Sequence, residues 1–251
     1  MISMIINFHE HPGEDVDERM RIDGIDLSVL LPVGSENLTR AIRMSEKGSG
    51  RYVPFFWVAS LDRIDEACRD LESYVNEKGV LGVKFQPLIQ HFFPDDQRLY
   101  PFYERCRELS IPVLFHTGVV AFRQELGIPH LAKFGYTIPG IDQIAHEFPD
   151  LKVVIAHMGG NYHYEALILT QKHENVYMDT AYLHFFCERM LPRIEPVEMI
   201  EHAVKIVGSE KILYGGEGTT PTVIRSSGLS SREKMNILGE NARKLLRLSQ
   251  S

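Results

Sequence analysis

Residues 4–12 read MIINFHEHP, and how this run is taken decides the fold. Its first half, Met4–Phe8, is apolar and β-branched, has no basic residues ahead of it, and is too short for a secretion signal; it reads as a strand. An open doubly wound sheet would follow its first strand with a Gly-rich phosphate turn. Here the strand runs into His9-Glu10-His11-Pro12 instead. Residues two apart in a strand share a side, so both imidazoles are expected to point together from its carboxyl end. That end carries the active site in barrel enzymes.

Further strands are expected at Leu27–Leu31, Tyr52–Val58, Val80–Phe85, Ile111–His116, Lys152–His157, Val176–Asp179 and Lys211–Tyr214. Several are near-continuous apolar runs, as strands covered on both faces of a parallel sheet require. Between them, amphipathic patterns predict helices over Leu61–Lys78, Leu99–Leu109, Ile141–Phe148, Tyr164–His173, Val197–Val207 and Ser231–Leu248, with Gly79 as a stop for the first. The stretch between the first two strands is too poor in apolar residues to propose one. Eight strands alternating with helices or long loops over 251 residues predict an α/β fold, a (β/α)8 TIM barrel. No linker or repeat divides the chain, so 1–251 is read as one domain.

Composition agrees. Hydrophobic residues make up 44% and charged residues 24%, which excludes a disordered or low-complexity chain. A net charge of −7 with no basic block argues against nucleic acid or an anionic membrane as partner. No apolar run is long enough to span a bilayer. Three cysteines without metal-type spacing suggest reduced thiols and a cytoplasmic setting.

The chemistry gathers at strand ends. Two histidines at i and i+2 are a common arrangement for a divalent ion. His116 ends the IPVLFH strand and His157 ends KVVIAH, so four of 11 histidines stand where strands are expected to finish. Placement on three strands of one barrel is hard to attribute to packing. The last strand ends Tyr214-Gly215-Gly216-Glu217-Gly218, putting a carboxylate between glycines, where the backbone can approach a ligand closely. Glu217 could complete a His/carboxylate shell or serve as a base. With no cysteine in the set, one divalent ion is expected: Zn²⁺ first, then Mn²⁺ or Fe²⁺. Asp179, ending the seventh strand, could orient a histidine or cap the next segment. Loops on the same face carry His91-Phe92-Phe93, Arg123, Asn161-Tyr162-His163, Tyr182, His184, Phe185 and Phe186. With Lys84, they suit a small apolar or aromatic substrate bearing a carboxylate; Lys84, Arg123, Tyr182 and His184 are the substrate-binding candidates.

Taken in order, IINFHEH, GVKFQP (82–87), PVLFHTG (112–118), LKVVIAHMGG (151–160), NVYMDTA (175–181) and KILYGGEGTTP (211–221) resemble the amidohydrolase superfamily. The resemblance is to its amidohydrolase-2 branch, which includes relatives of aminocarboxymuconate-semialdehyde decarboxylase, and it covers nearly the whole chain. It implies one metal held by His9, His11, His116 and an acidic residue after the eighth strand, with His157 as acid/base. That acidic residue is usually Asp in the family and is Glu217 here, which alters the reach of base and ligand. In binuclear relatives a lysine like Lys84 bridges two metals as a carbamate. Such barrels often pair as homodimers. The leading expectation is a hydrolase acting on a lactone, amide or ester through a metal-activated water, with Glu217 or His157 moving its proton. Non-oxidative decarboxylation on the same site is the alternative. A barrel that binds a small molecule without turnover is the third.

Overall fold

The computed structural model describes residues 4–120 and 131–249. Strand and helix alternate as β1 (Ile6–Glu10), α1 (Val16–Asp23), β2 (Leu27–Leu30), α2 (Ser35–Lys47), β3 (Tyr52–Pro54), β4 (Phe56–Trp57), α3 (Ile64–Lys78), β5 (Val83–Phe85), α4 (Pro87–Gln90), α5 (Tyr100–Glu108) and β6 (Val113–Phe115). They continue as α6 (Ile138–Glu147), β7 (Val153–Ile155), α7 (His163–Lys172), β8 (Val176–Asp179), α8 (Leu183–Cys187), α9 (Pro196–Val207), β9 (Ile212–Leu213), α10 (Pro221–Ser226), α11 (Ser231–Met235) and α12 (Asn241–Leu245).

All strand pairs are parallel, in the orders β1-β2-β3 and β4-β5-β6-β7-β8-β9. The two sheets are one surface. β3 and β4 are halves of a single run; Phe55 N–H donates back to Leu30 O, and Phe56 N–H donates forward to Gly82 O. At the other seam, Phe8 N–H donates to Tyr214 O at 2.7 Å, joining β1 to the chain just past β9. The result is the expected (β/α)8 barrel.

Alternation within the buried strands fills two cores. Ile6, Phe8, Val29, Phe55, Leu114 and Val154 pack inside the barrel, while Phe85, Val113, Phe115, Val153, Ile155 and Met178 face the helices. This double burial is why the strands read as apolar throughout.

The short α4, α8 and α10 stand where the sequence proposes no helix, and three departures are larger. α1 and α2 stand where the sequence proposes none. α1 buries only Val16 and Met20 and stops at Gly24 in the left-handed region, φ 67°; α2 buries Leu38, Ala41 and Ile42. A helix on the outer ring of a barrel needs one narrow apolar stripe, and a charged segment can supply it. The third departure is Ser231–Leu248, expected as one helix. It is α11, a π-helical turn over Asn236–Glu240, and α12. No helix among the described residues is long and apolar enough to cross a membrane.

Candidate active site

The carboxyl ends of the strands open into a cavity of about 300 Å³ whose walls include His9, His11, Lys84, His116, His157 and Glu217. Six residues that the sequence singled out, His9 and Lys84 in β1 and β5 and the others just past β1, β6, β7 and β9, therefore meet in one place. A larger cavity of about 620 Å³, under the opposite ends of the strands beside Lys152 and Lys244, contains none of them.

Hydrogen bonds fix which ring nitrogens face inward. His9 Nδ1 donates to Asp179 Oδ2 at 2.7 Å, both residues fully buried. His11 Nδ1 donates to Leu31 O at 2.9 Å. Each neutral ring therefore presents its Nε2 lone pair, and both face Glu217: His9 Nε2 lies 3.5 Å from Oε2, and His11 Nε2 lies 3.5 Å from Oε1. His9 Nε2 and Glu217 Oε2 are buried with no hydrogen-bond partner. Three acceptors turned toward one another require a cation among them, either a proton on His11 or a metal ion. Burial disfavours the His11 imidazolium, but the bond and charge of Glu217 outweigh it and raise the His11 pKa. Burial likewise opposes ionisation of Glu217, yet His11, His9 and His157 together hold its carboxyl well below the usual range. The spacing also suits a metal. Two donors each about 2.1 Å from one tetrahedral ion stand about 3.4 Å apart. The ligand atoms of His9, His11 and Glu217 all lie within 4.8 Å of one another, as do those of His9, His157 and Asp179.

Asp179 orients and braces at once. While Oδ2 holds His9, Oδ1 accepts His157 N–H at 2.8 Å and Ala181 N–H at 3.0 Å. His157 itself sits in the left-handed region, φ 58°, followed by Met158, Gly159 and Gly160, all at positive φ. A Cβ on Gly160 would lie 2.9 Å from the Phe186 ring, so the HMGG turn needs its glycines. Tyr182 and Glu217 also have positive φ. Backbone strain of this kind concentrates at functional sites.

His116 is held differently from His9 and His11. Its Nδ1 is 3.0 Å from His157 Nε2 and its Nε2 is 3.2 Å from Gly118 O, while His157 Nδ1 is 3.1 Å from Ala181 O. Three contacts need three protons, and two neutral rings carry two. One of the three contacts is thus left without a proton. Burial keeps both rings neutral at pH 7, pushing His157 down to about 4 and His116 well below its ordinary value.

Lys84 is fully buried, its Nζ without a partner, and burial lowers its pKa to about 8 against the pull of Glu217 and Asp179. Tyr182 and Phe185 form an aromatic wall, stacked at 4.9 Å with rings 16° apart, and the Arg189 guanidinium lies 3.6 Å over Phe185. His184, expected to bind substrate, is exposed and covers Gly218 outside the cavity lining. Arg123 lies outside the described residues. His163 bonds Met158 O at 2.8 Å, and Asn161 accepts Val119 N–H at 2.6 Å, so these serve the loops themselves. The sequence reading missed Asn7 and Glu10, which brace the backbone of this site. Their only sequence signal is position beside the two histidines.

A family model described as "Amidohydrolase" matches residues 16–248. No curated protein matches the chain. Among solved structures, an uncharacterized TIM-barrel protein from Bordetella bronchiseptica superposes with a TM-score of 0.76 at 18% identity, covering 97% of this chain and 98% of that one. A dihydroxybenzoic acid decarboxylase from Polaromonas sp. JS666, with bound manganese and the inhibitor 2-nitroresorcinol, gives 0.72 at 18% identity, covering 100% and 98%. A 2,6-dihydroxybenzoate decarboxylase from Rhizobium gives 0.71 at 16% identity, covering 98% and 99%. At these identities the likeness establishes the fold.

Proposed function

The chain belongs to the amidohydrolase family of enzymes, and from that premise we propose that it is a metal-dependent, non-oxidative decarboxylase of a small aromatic carboxylate. One observation carries the reading. Three converging acceptors, His9 Nε2, His11 Nε2 and the Glu217 carboxylate, share a cavity with an unpartnered buried lysine and an aromatic wall. The names of the dihydroxybenzoate-type neighbours favour decarboxylation over hydrolysis, the leading expectation from sequence. Manganese in one of them makes Mn²⁺ the ion to load first, ahead of Zn²⁺.

His9, His11 and Glu217 would hold the ion, which would supply positive charge to bind substrate oxygens and stabilise negative charge as it develops. His116, a ligand by family resemblance, has its nitrogens turned to His157 and Gly118 O. Lys84 Nζ, mostly protonated at pH 7, would receive the substrate carboxylate. Tyr182 and Phe185 would pack against the ring and exclude water. The reaction is ArCOO⁻ + H⁺ → ArH + CO₂: the C–C bond breaks, its electron pair stays on the ring carbon, and a proton fills that position. Glu217 Oε2, ionised and free of hydrogen bonds, would take a proton from a phenolic hydroxyl of the substrate and return it to the carbon, leaving a phenolate that the H⁺ of the equation restores to the phenol. His157 Nδ1, 3.8 Å from that oxygen, would be the alternate holder of the proton.

The test is CO₂ release by Mn²⁺-loaded protein from hydroxybenzoates such as 2,6-dihydroxybenzoate, run beside a panel of lactones, amides and esters. CO₂ release that falls about 10²- to 10⁴-fold in Glu217→Gln is the expected result. Turnover of a lactone, amide or ester without CO₂ would replace this reading with hydrolysis. Inactivity on every substrate, relieved only by Glu217→Asp, would point to a binding barrel.

A further inference from the structure

The backbone at His9 and beside Glu217, two of the three proposed ligands, converges on one side chain, that of Asn7, while the third, His11, is held by its neighbour Glu10. On β1, Asn7 stands opposite Ser28 and Glu10 opposite Leu30, so three steps of β1 face two of β2. Such a bulge re-aims side chains and leaves a backbone group outside the ladder. The His9 N–H is bound by Asn7 Oδ1, at 3.0 Å. The same oxygen accepts Gly216 N–H at 2.7 Å, from a residue 209 positions away and adjacent to Glu217. A backbone N–H cannot accept, so two of them fix the orientation of the amide. Nδ2 is thereby turned to Glu10 and donates to Oε2 at 3.3 Å. Glu10 is buried in turn. Its Oε1 accepts His11 N–H at 3.0 Å and Arg19 Nη2 at 2.9 Å. A Cβ on Gly216 would lie 2.6 Å from Asn7 Nδ2, so the close approach depends on glycine there.

We infer that Asn7 and Glu10 are a positioning pair that sets the spacing of His9, His11 and Glu217 and hence the affinity of the site for a divalent ion. The inference rests on the metal site proposed above. The polarity of the pair is its signature: the Asn7 amide must offer its oxygen to two N–H groups and its NH₂ to a carboxylate.

Mn²⁺ binding, measured by calorimetry without substrate and beside the melting temperature of the metal-free protein, tests it. Asn7→Asp sets two buried carboxylates against each other, and Glu10→Gln sets two amide donors against each other. Each is expected to weaken Mn²⁺ binding about 10- to 100-fold. Asn7→Asp/Glu10→Gln matches the polarity again, with the new carboxylate accepting both backbone N–H groups and the new amide donating to it. It should bind within about threefold of the wild type, a strongly non-additive cycle. Wild-type affinity in both single variants, or a double variant no tighter than Glu10→Gln, would overturn the inference. The second comparison holds even if Asn7→Asp does not fold. Wild-type protein that binds no Mn²⁺ would overturn it together with the metal site, whereas binding without CO₂ release would refute the proposed reaction alone.

Discussion

Lys84 is the residue at which stability and function pull in opposite directions. Its ammonium is buried without an acceptor, and burial brings its pKa from 10.5 to about 8. The unfolded chain therefore binds more protons than the folded one between about pH 8 and 10.5, and stability rises with pH across that window. Below it the charged form costs the fold about 3 kcal/mol, at roughly 1.4 kcal/mol per pKa unit. Lys84→Met should thus unfold at higher urea than wild type at pH 7, with the gain vanishing above about pH 10.5. The same variant should raise KM for an aromatic carboxylate about 10- to 100-fold, the value of a hydrogen bond to a charged group. Equal urea midpoints at pH 7 and above pH 10.5 would contradict the cost assigned to this lysine. Lys84 was legible because a lone lysine inside an apolar strand stands out. Asn7 was not. An amide beside a histidine pair carries no periodic signal, and its decisive partner is 209 residues away.

At the scale of elements, strands were read closely and helices less so. Burial on both faces gives each strand a short, contiguous signature, whereas α1 needs only Val16 and Met20 to hold its place. The C-terminal segment shows what period alone misses. Ile237, Leu238, Ala242 and Leu245 keep helical spacing, yet the chain widens into a π turn at Asn236–Glu240. Within that turn lies Gly239, where any Cβ would collide with the Met4 carbonyl oxygen at the foot of β1. A glycine inside a helical pattern is ordinarily a mild defect; here it is the contact that seats the helix on the barrel. Gly239→Ala should cost about 1–3 kcal/mol by overpacking, read by urea unfolding. Its Mn²⁺ affinity should stay near that of wild type, since the contact lies at the opposite end of β1 from the site. Unchanged stability would mean that the helix end shifts freely.

For the molecule as a whole, the proposed ion couples the site to the fold, because its ligands come from both ends of the chain and meet only when the barrel closes. Mn²⁺ at about 100 times its Kd should add about 2.7 kcal/mol to stability and raise the melting temperature. Chelator should reverse the rise and His9→Ala should abolish it. About one ion per chain is expected by elemental analysis; an equal rise in His9→Ala would place the ion elsewhere. The sequence by itself determined the order of eight strands, their parallel pairing through intervening helices, and the presence of histidines and Glu217 at their carboxyl ends. Period and strand ends are written in contiguous residues, so they survive without a structure. Tertiary structure alone decided which donors meet: Glu217 between His9 and His11, Asp179 beneath His9, His116 turned to His157, and His184 outside the cavity. Those outcomes depend on barrel closure and on left-handed turns at His157, Tyr182 and Glu217. A residue's direction after such a turn is set by the walls around it, and no local pattern encodes it.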